Sequence, residues 1–342
     1  MKARNTHSTK DRPLRRILSP NYLCFQSFPM KFRTFPGLLL PLILLSALPC
    51  LGQQPGSGSL PATRCPLTLG PLRLISSQFG FTEGPTPDKK GNVFFTDQPN
   101  NKIWEYEVSG RLRLFLDSAG RSNGMAFDRK GNLISCADEN QLLWSISPRR
   151  KIRVLVQDYL GKKLNGPNDV WIDPRGGMYL TDPYYQRSYW KRTRPDLPGE
   201  YVFYLPPGSS SLQPVATDLV KPNGIMGTPD GTHLYVADIG AGKTYRYRIA
   251  ADGTLEGKEL FVRQGSDGMT MDARGNLYLT GNGVTIYDPS GKELCHIPIP
   301  DAWTSHACFG GRHYDRLFIT ATHSIYEEPM RVKGSLQGSR YR

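Results

Sequence analysis

The chain has few cysteines, six in 342 residues, and none are spaced as a C-x-x-C pair. That removes zinc ribbons and dithiol redox motifs from consideration. No segment shows sustained helical apolar periodicity. Alternation of strands with helices of about ten or more residues therefore has no place in it. No uninterrupted apolar run approaches the roughly 20 residues of a membrane-spanning helix; the strongest, Phe35 to Leu51, is broken by Pro36 and Pro41. A nucleic-acid-binding stripe of Lys and Arg interleaved with aromatics is also missing. The formal charge of +13 is concentrated at one end. Residues 1–52 carry eight positive and one negative side chain, and the remainder carries 35 and 29, a balance of +6.

That basic end reads as a leader. Met30 is a plausible internal start, followed by Lys31 and Arg33, a short apolar stretch and small residues near Gly52. This is the order of a secretory signal peptide. Pro49 beside Cys50 argues against a lipid-attachment box. The expected organisation is a leader over 1–52, a Gly/Pro/Ser/Gln-rich linker over 53–65, one large domain over 66–335 and a tail over 336–342. An exported protein, periplasmic or secreted, is expected, with no membrane attachment once the leader is cleaved. Cys65, Cys136, Cys295 and Cys308 remain beyond the leader. Four cysteines allow three disulfide pairings, which sequence does not choose between, and buried thiols are an equal alternative.

What is present is repetition. Asp88-Lys-Lys-Gly91-Asn-Val-Phe-Phe-Thr returns as Asp128-Arg-Lys-Gly131-Asn-Leu-Ile-Ser and as Asp173-Pro-Arg-Gly176-Gly-Met-Tyr-Leu-Thr. Pro229-Asp-Gly231-Thr-His-Leu-Tyr-Val and Asp272-Ala-Arg-Gly275-Asn-Leu-Tyr-Leu-Thr follow, and His313-Tyr-Asp315-Arg-Leu-Phe-Ile-Thr320 is a degenerate sixth copy. The steps are 40, 45, 55, 44 and 40 residues. A period of about 40–50 residues holding several short strands is that of a propeller, four strands to a blade. The 35 Gly and 28 Pro suit its frequent tight turns. The sequence thus predicts an all-β, six-bladed β-propeller, with residues 66–80 supplying an outer strand to the last blade so that no sheet edge stays open. The surplus in the long step falls at 183–198, an aromatic and Arg-rich insertion that is either a loop over one face or a solvated excursion.

Eight residues before each turn glycine stands a carboxylate or carboxamide: Glu83, Asn123, Asn168, Asn223 and Asp267. In the sixth unit the same offset gives Ala307, with His306 adjacent. One register in every blade means one radial position, and these residues precede apolar runs, so they are expected around the mouth of the central channel. Two carboxylates with several amide oxygens and no thiolate suit a hard, oxygen-seeking cation. Charge −2 from Glu83 and Asp267 would balance one divalent ion; calcium is favoured, with magnesium, manganese or zinc as alternatives. Asn-Gly and Asp-Gly as plain turn formers do not account for Glu83 or Asn168. Asp97, Asp138, Asp182 and Asp238, at the ends of the following strands, read as loop ties. Gly120-Arg-Ser122-Asn-Gly124 matches the nucleophile-elbow pattern, which works only on a strand-to-helix turn, and here it coincides with the repeat register.

These motifs in order, Phe81-Thr-Glu-Gly-Pro85, Leu164-Asn-Gly-Pro-Asn-Asp-Val170, Tyr179-Leu-Thr-Asp-Pro-Tyr184, Lys221-Pro-Asn-Gly224, Ser266-Asp-Gly-Met269 and Cys308-Phe-Gly-Gly311, resemble the gluconolactonase and regucalcin-like propellers. The resemblance implies a divalent cation held by Glu83, Asn168, Asn223 and Asp267, and metal-dependent hydrolysis of a small sugar lactone with Asp267 as acid-base. It implies substrate contacts from Asn123, Asn168, Tyr184 and His306. Ser305-His306-Ala307 departs from the pattern, since related bacterial proteins more often carry Asn there. Two rivals use the same fold: a phosphotriesterase resembling diisopropyl-fluorophosphatase, and a non-catalytic binding propeller.

Overall fold

The computed structural model describes residues 64–335 and 337. The expected leader, its start at Met30, the linker up to residue 63 and all of the tail except Gln337 lie outside the described residues. Six antiparallel four-stranded sheets follow one another along the chain. Blade 1 runs from β2 (Thr82–Pro87) to β5 (Leu112–Asp117), and blade 2 from β6 (Ser122–Phe127) to β9 (Ile152–Val156). Blade 3 runs from β10 (Val170–Ile172) to β13 (Gln213–Ala216), and blade 4 from β14 (Pro222–Gly227) to β17 (Leu255–Val262). Blade 5 spans β18 (Met269–Met271) to β21 (Glu293–Ile297). Blade 6 is built from β22 (Thr304–Gly310), β23 (Arg316–Ala321) and β24 (Ser324–Pro329), and its outer strand is β1 (Arg73–Ser76) from the other end of the chain. The fold is a six-bladed propeller closed by its N-terminal strand, as expected.

The repeated turn has a local cause. Asp88 Oδ1 accepts the N–H groups of Lys90 and Asn92 at 2.8 and 3.0 Å, and the Gly91 N–H closes on the Asp88 carbonyl at 3.0 Å. Gly91 sits at φ +88°, a conformation that costs a Cβ-bearing residue. The apolar runs on either side then fill the space between neighbouring blades. Ile134 and Leu143 of blade 2 pack with Val170, Leu180 and Phe203 of blade 3 in one such layer.

The cysteine question is answered by position. Cys65 is bonded to Cys295 in β21, with Cα atoms 5.2 Å apart, so the segment leading into β1 is stapled to the outer strand of blade 5. Cys136 and Cys308 are buried on strands of blades 2 and 6. At the far end of the chain, Gln337 accepts the Trp171 indole N–H at 2.6 Å, and the Ser335 N–H meets the Met271 carbonyl at 3.0 Å. These two residues close the lower end of a narrow channel cavity of about 60 Å³ that the inner strands line.

Candidate active site

Three of the five polar heads, Glu83, Asn123 and Asn223, stand at bulges in the inner strands. The pairing of β2 with its neighbour slips between Glu83 and Thr86, that of β6 between Ser122 and Met125, and that of β14 between Pro222 and Ile225. A bulge bends the strand and re-aims its side chains, here around Glu83, Asn123 and Asn223; Asn168 and Asp267 stand just before β10 and β18, whose pairing is regular. The glycines beside the heads serve close packing between blades. A Cβ at Gly84 would lie 2.1 Å from the Asn123 carbonyl oxygen, and one at Gly268 would lie 2.0 Å from the His306 ring. Each blade's head thereby closes onto the next. Threonines complete the ring: Thr96 donates to the Asn123 carbonyl at 3.2 Å, Thr181 to that of Asn223 at 2.7 Å and Thr280 to that of Ser305 at 2.8 Å.

Glu83, Asn123, Asn168 and Asn223 are buried, and Asp267 is partly open. The Asn123 and Asn168 side-chain amides make no hydrogen bond to a described residue, so their oxygens are available at the mouth. Burial pushes the Glu83 carboxyl up to about 8, and the nearby charge of Asp267 adds to the shift. Burial likewise lifts Asp267 to about 6, opposed by the Trp303 indole N–H, which donates to Asp267 Oδ2 at 2.6 Å. The Asp267 charge raises Glu83, and His306, which lowers both carboxyls, does not bring either back to the ordinary carboxylate range, so the pair calls for further positive charge. An oxygen-ligated divalent cation would supply it, and the donor set of Glu83, Asp267, Asn168 and Asn223 fits such an ion. Among the described residues, no three or more His, Cys, Asp and Glu side chains converge on one ion position; the fan relies on amides for the rest of its oxygens.

His306 faces inward and lines the channel cavity. Its Nε2 lies 3.3 Å from Asp169 Oδ2. Burial pushes the imidazole down, but Asp169 and Glu83 outweigh it and raise its value to about 9. Asp169, one residue past Asn168, was not singled out from sequence. It is buried, and its oxygens also accept the Val170 and Ile225 N–H groups at 2.8 and 3.1 Å, joining blades 3, 4 and 6. Its neighbour's fixed offset drew attention away from it.

The insertion is a docked flap, not a solvated excursion. Asp138 Oδ2 accepts from Arg187 Nε at 2.9 Å, Tyr189 Oη at 2.5 Å and Gln98 Nε2 at 3.3 Å. Arg192 holds the Leu164 carbonyl at 2.9 Å, and Lys221 Nζ holds that of Tyr184, also at 2.9 Å. Tyr184, expected at the substrate, spends its ring on Trp190 and Arg192 and its hydroxyl on Gln186, all within the insertion. Tyr185 is the residue that reaches a polar head: its hydroxyl accepts from Asn223 Nδ2 at 3.0 Å.

The aspartate ties divide accordingly. Asp97 Oδ1 accepts the Gly80 N–H at 2.9 Å, Asp182 those of Asn165 and Gly166 at 2.8 Å, and Asp238 those of Val220 and Lys221 at 2.9 Å. Each holds the loop just before a head. Asp138 instead receives the insertion. Ser122 lies in β6, bonded to the Ala119 carbonyl at 2.6 Å with no helix after it, so it does not form a nucleophile elbow.

Comparison with known proteins places this arrangement. The description "SMP-30/Gluconolactonase/LRE-like region" matches residues 81–323. The chain belongs to that family. It is 29% identical to a gluconolactonase of Zymomonas mobilis over 286 residues, covering 75% of this chain and 80% of that protein. A gluconolactonase structure from Xanthomonas campestris superposes with a TM-score of 0.72 at 28% identity, over 77% of this chain and 91% of that one. A calcium-binding regucalcin from Agrobacterium tumefaciens superposes with a TM-score of 0.66 over 80% and 98% of the two chains; at 20% identity that likeness speaks to the fold alone.

Proposed function

We propose that this protein is a carboxylic-ester hydrolase that opens a small sugar lactone with the help of one divalent cation, calcium in the first instance. The observation that carries the reading is a pair of carboxylates, buried Glu83 and half-buried Asp267, among amide oxygens at the channel mouth of a gluconolactonase-family propeller. The lactonases it resembles support lactone over phosphotriester hydrolysis and over a purely binding role.

Glu83, Asn168, Asn223 and Asp267 would hold the cation, which when bound supplies polarisation of the lactone carbonyl and charge to stabilise its oxyanion. Asp267 takes the proton of the attacking water. Its burial keeps it more basic than an ordinary carboxylate, and contact with a cation opposes that; Trp303 donates to Oδ2 and fixes the orientation of the carboxylate. Asn123, Asn168 and His306 are assigned to the substrate or its immediate walls. The Cys65–Cys295 bond supports export to an oxidising compartment.

The test is a pH-stat assay on glucono-1,5-lactone with the wild type and Asp267→Asn, each with and without chelator. Loss of rate by a factor of about 100 or more in the variant, and loss on chelation restored by calcium, is the expected result. A fully active Asp267→Asn or indifference to chelator would overturn the mechanism.

A further inference from the structure

Beside the channel mouth lies a second cleft of about 550 Å³, between the top of blade 4 and blade 5. This falls within the range of about 300–1,000 Å³ usual for small-molecule sites. The cleft begins next to the site, since Gly265, two residues before Asp267, lines it. Trp303 spans the two. Its Nε1 bonds Asp267, while its six-membered ring lies over Gly281, where a Cβ would come within 3.5 Å of the ring. The indole is 39% exposed, a large flat apolar surface left in water where cleft and site meet.

The rest of the lining is of a different kind. Gln264, Asn282, Thr285 and His296 contribute amide, hydroxyl and imidazole groups, with Glu293 the one charged side chain among the residues named. Gln264 Oε1 accepts the Tyr287 hydroxyl at 2.6 Å, which directs its NH₂ elsewhere, and Thr285 Oγ1 meets His296 Nδ1 at 3.1 Å. An acyl chain would need apolar walls, and an anion would need cations in place of Glu293. Groups that both donate and accept suit hydroxyls, and the electron-rich indole face suits the C–H edge of a sugar ring.

We propose that this cleft is a glycosyl subsite, and that the favoured substrate is a disaccharide aldonolactone. Its lactone ring sits at Asp267 and its second sugar packs on Trp303 within the cleft. The inference rests on the lactonase reading and names its substrate class. Water adds across the acyl–oxygen bond to give the glycosyl-aldonic acid, and the glycosidic bond is untouched.

The experiment compares kcat/KM for glucono-1,5-lactone, cellobiono-1,5-lactone and melibionolactone, in the wild type and in Asn282→Ala and His296→Ala, with thermal melts to confirm folding. Calorimetric binding of cellobionate and gluconate gives a readout independent of turnover. The expected result is a preference of about tenfold or more for a disaccharide lactone, matched by tighter binding of cellobionate. Each substitution should erode that preference about fivefold, the worth of one hydrogen bond, and leave gluconolactone turnover unchanged. Gluconolactone turnover with no disaccharide preference, or a preference the substitutions do not touch, overturns the subsite and leaves the lactonase reading standing. Turnover of neither class removes both.

Discussion

Asn223 donates its side-chain N–H to the Tyr185 hydroxyl at 3.0 Å, so a polar head of blade 4 is held by an insertion that leaves blade 3. The insertion is in turn held by Asp138 of blade 2. Three blades thus share responsibility for the orientation of one amide at the channel mouth. Outer partners of this kind fix ligand orientation, and their loss typically costs 10–100-fold in metal affinity or activity. Tyr185→Phe should therefore weaken calcium binding, measured by calorimetry, or raise KM by about tenfold, with little change in melting temperature. Unchanged values of both would show that Tyr185 only packs.

Asp138→Ala tests the anchor. It strips the shared acceptor from Arg187, Tyr189 and Gln98, and losing a charge-assisted hydrogen bond costs about 1.5–3 kcal/mol. The loosened flap should be cut by trypsin after Arg187, Lys191 or Arg192 well before the wild type is. Equal cleavage rates would mean that the flap is held elsewhere.

Gly84→Ala should destabilise, and because the Gly84 N–H bonds the Glu83 carboxylate it should disturb the site as well. The residue sits at φ +50° with the Asn123 carbonyl where its Cβ would go, and strain of this kind costs about 2–5 kcal/mol. A shift of the urea midpoint to lower concentration, with a raised lactone KM in the folded fraction, is the expected reading.

The Cys65–Cys295 bond closes a loop of 230 residues, and removing a native disulfide costs about 2–5 kcal/mol. Cys65→Ser, or the wild type under dithiothreitol, should melt at lower temperature while retaining turnover. Reduction also provides a compartment test, because protein recovered from cells should resist alkylation until it is reduced.

Stability without metal should fall as pH rises from about 5 to 9. Burial raises Glu83 to about 8, Asp182 and Glu328 to about 7 and Asp267 to about 6. Unfolded carboxylates titrate at about 4, so between those values the folded protein binds more protons and loses stability as they leave. His306, raised to about 9 by Asp169 and Glu83 despite burial, acts in the same direction. What it contributes is complete below about 6.5 and is lost through 9. Scanning fluorimetry of chelator-treated protein at pH 5, 7 and 9 should give descending midpoints, and added calcium should raise the midpoint most at pH 9. A midpoint that climbs from pH 5 to 8 would contradict this.

The blade count, the turns and the shared offset of Glu83, Asn123, Asn168, Asn223 and Asp267 from each turn were determined by the sequence alone. They follow from local rules repeated at a near-constant period: an Asp that caps its own turn, a glycine at positive φ and an apolar run with a polar residue at its head. Asp169, Tyr185 and Trp303 were decided only in three dimensions. Their partners His306, Asn223 and Asp267 are 137, 38 and 36 residues away, and none of the three occupies the repeated register. The same holds for the choice of Cys295 by Cys65. Repetition makes visible what every blade must do; a contact made once, between blades, leaves no period in the chain, and closure of the ring alone brings it together.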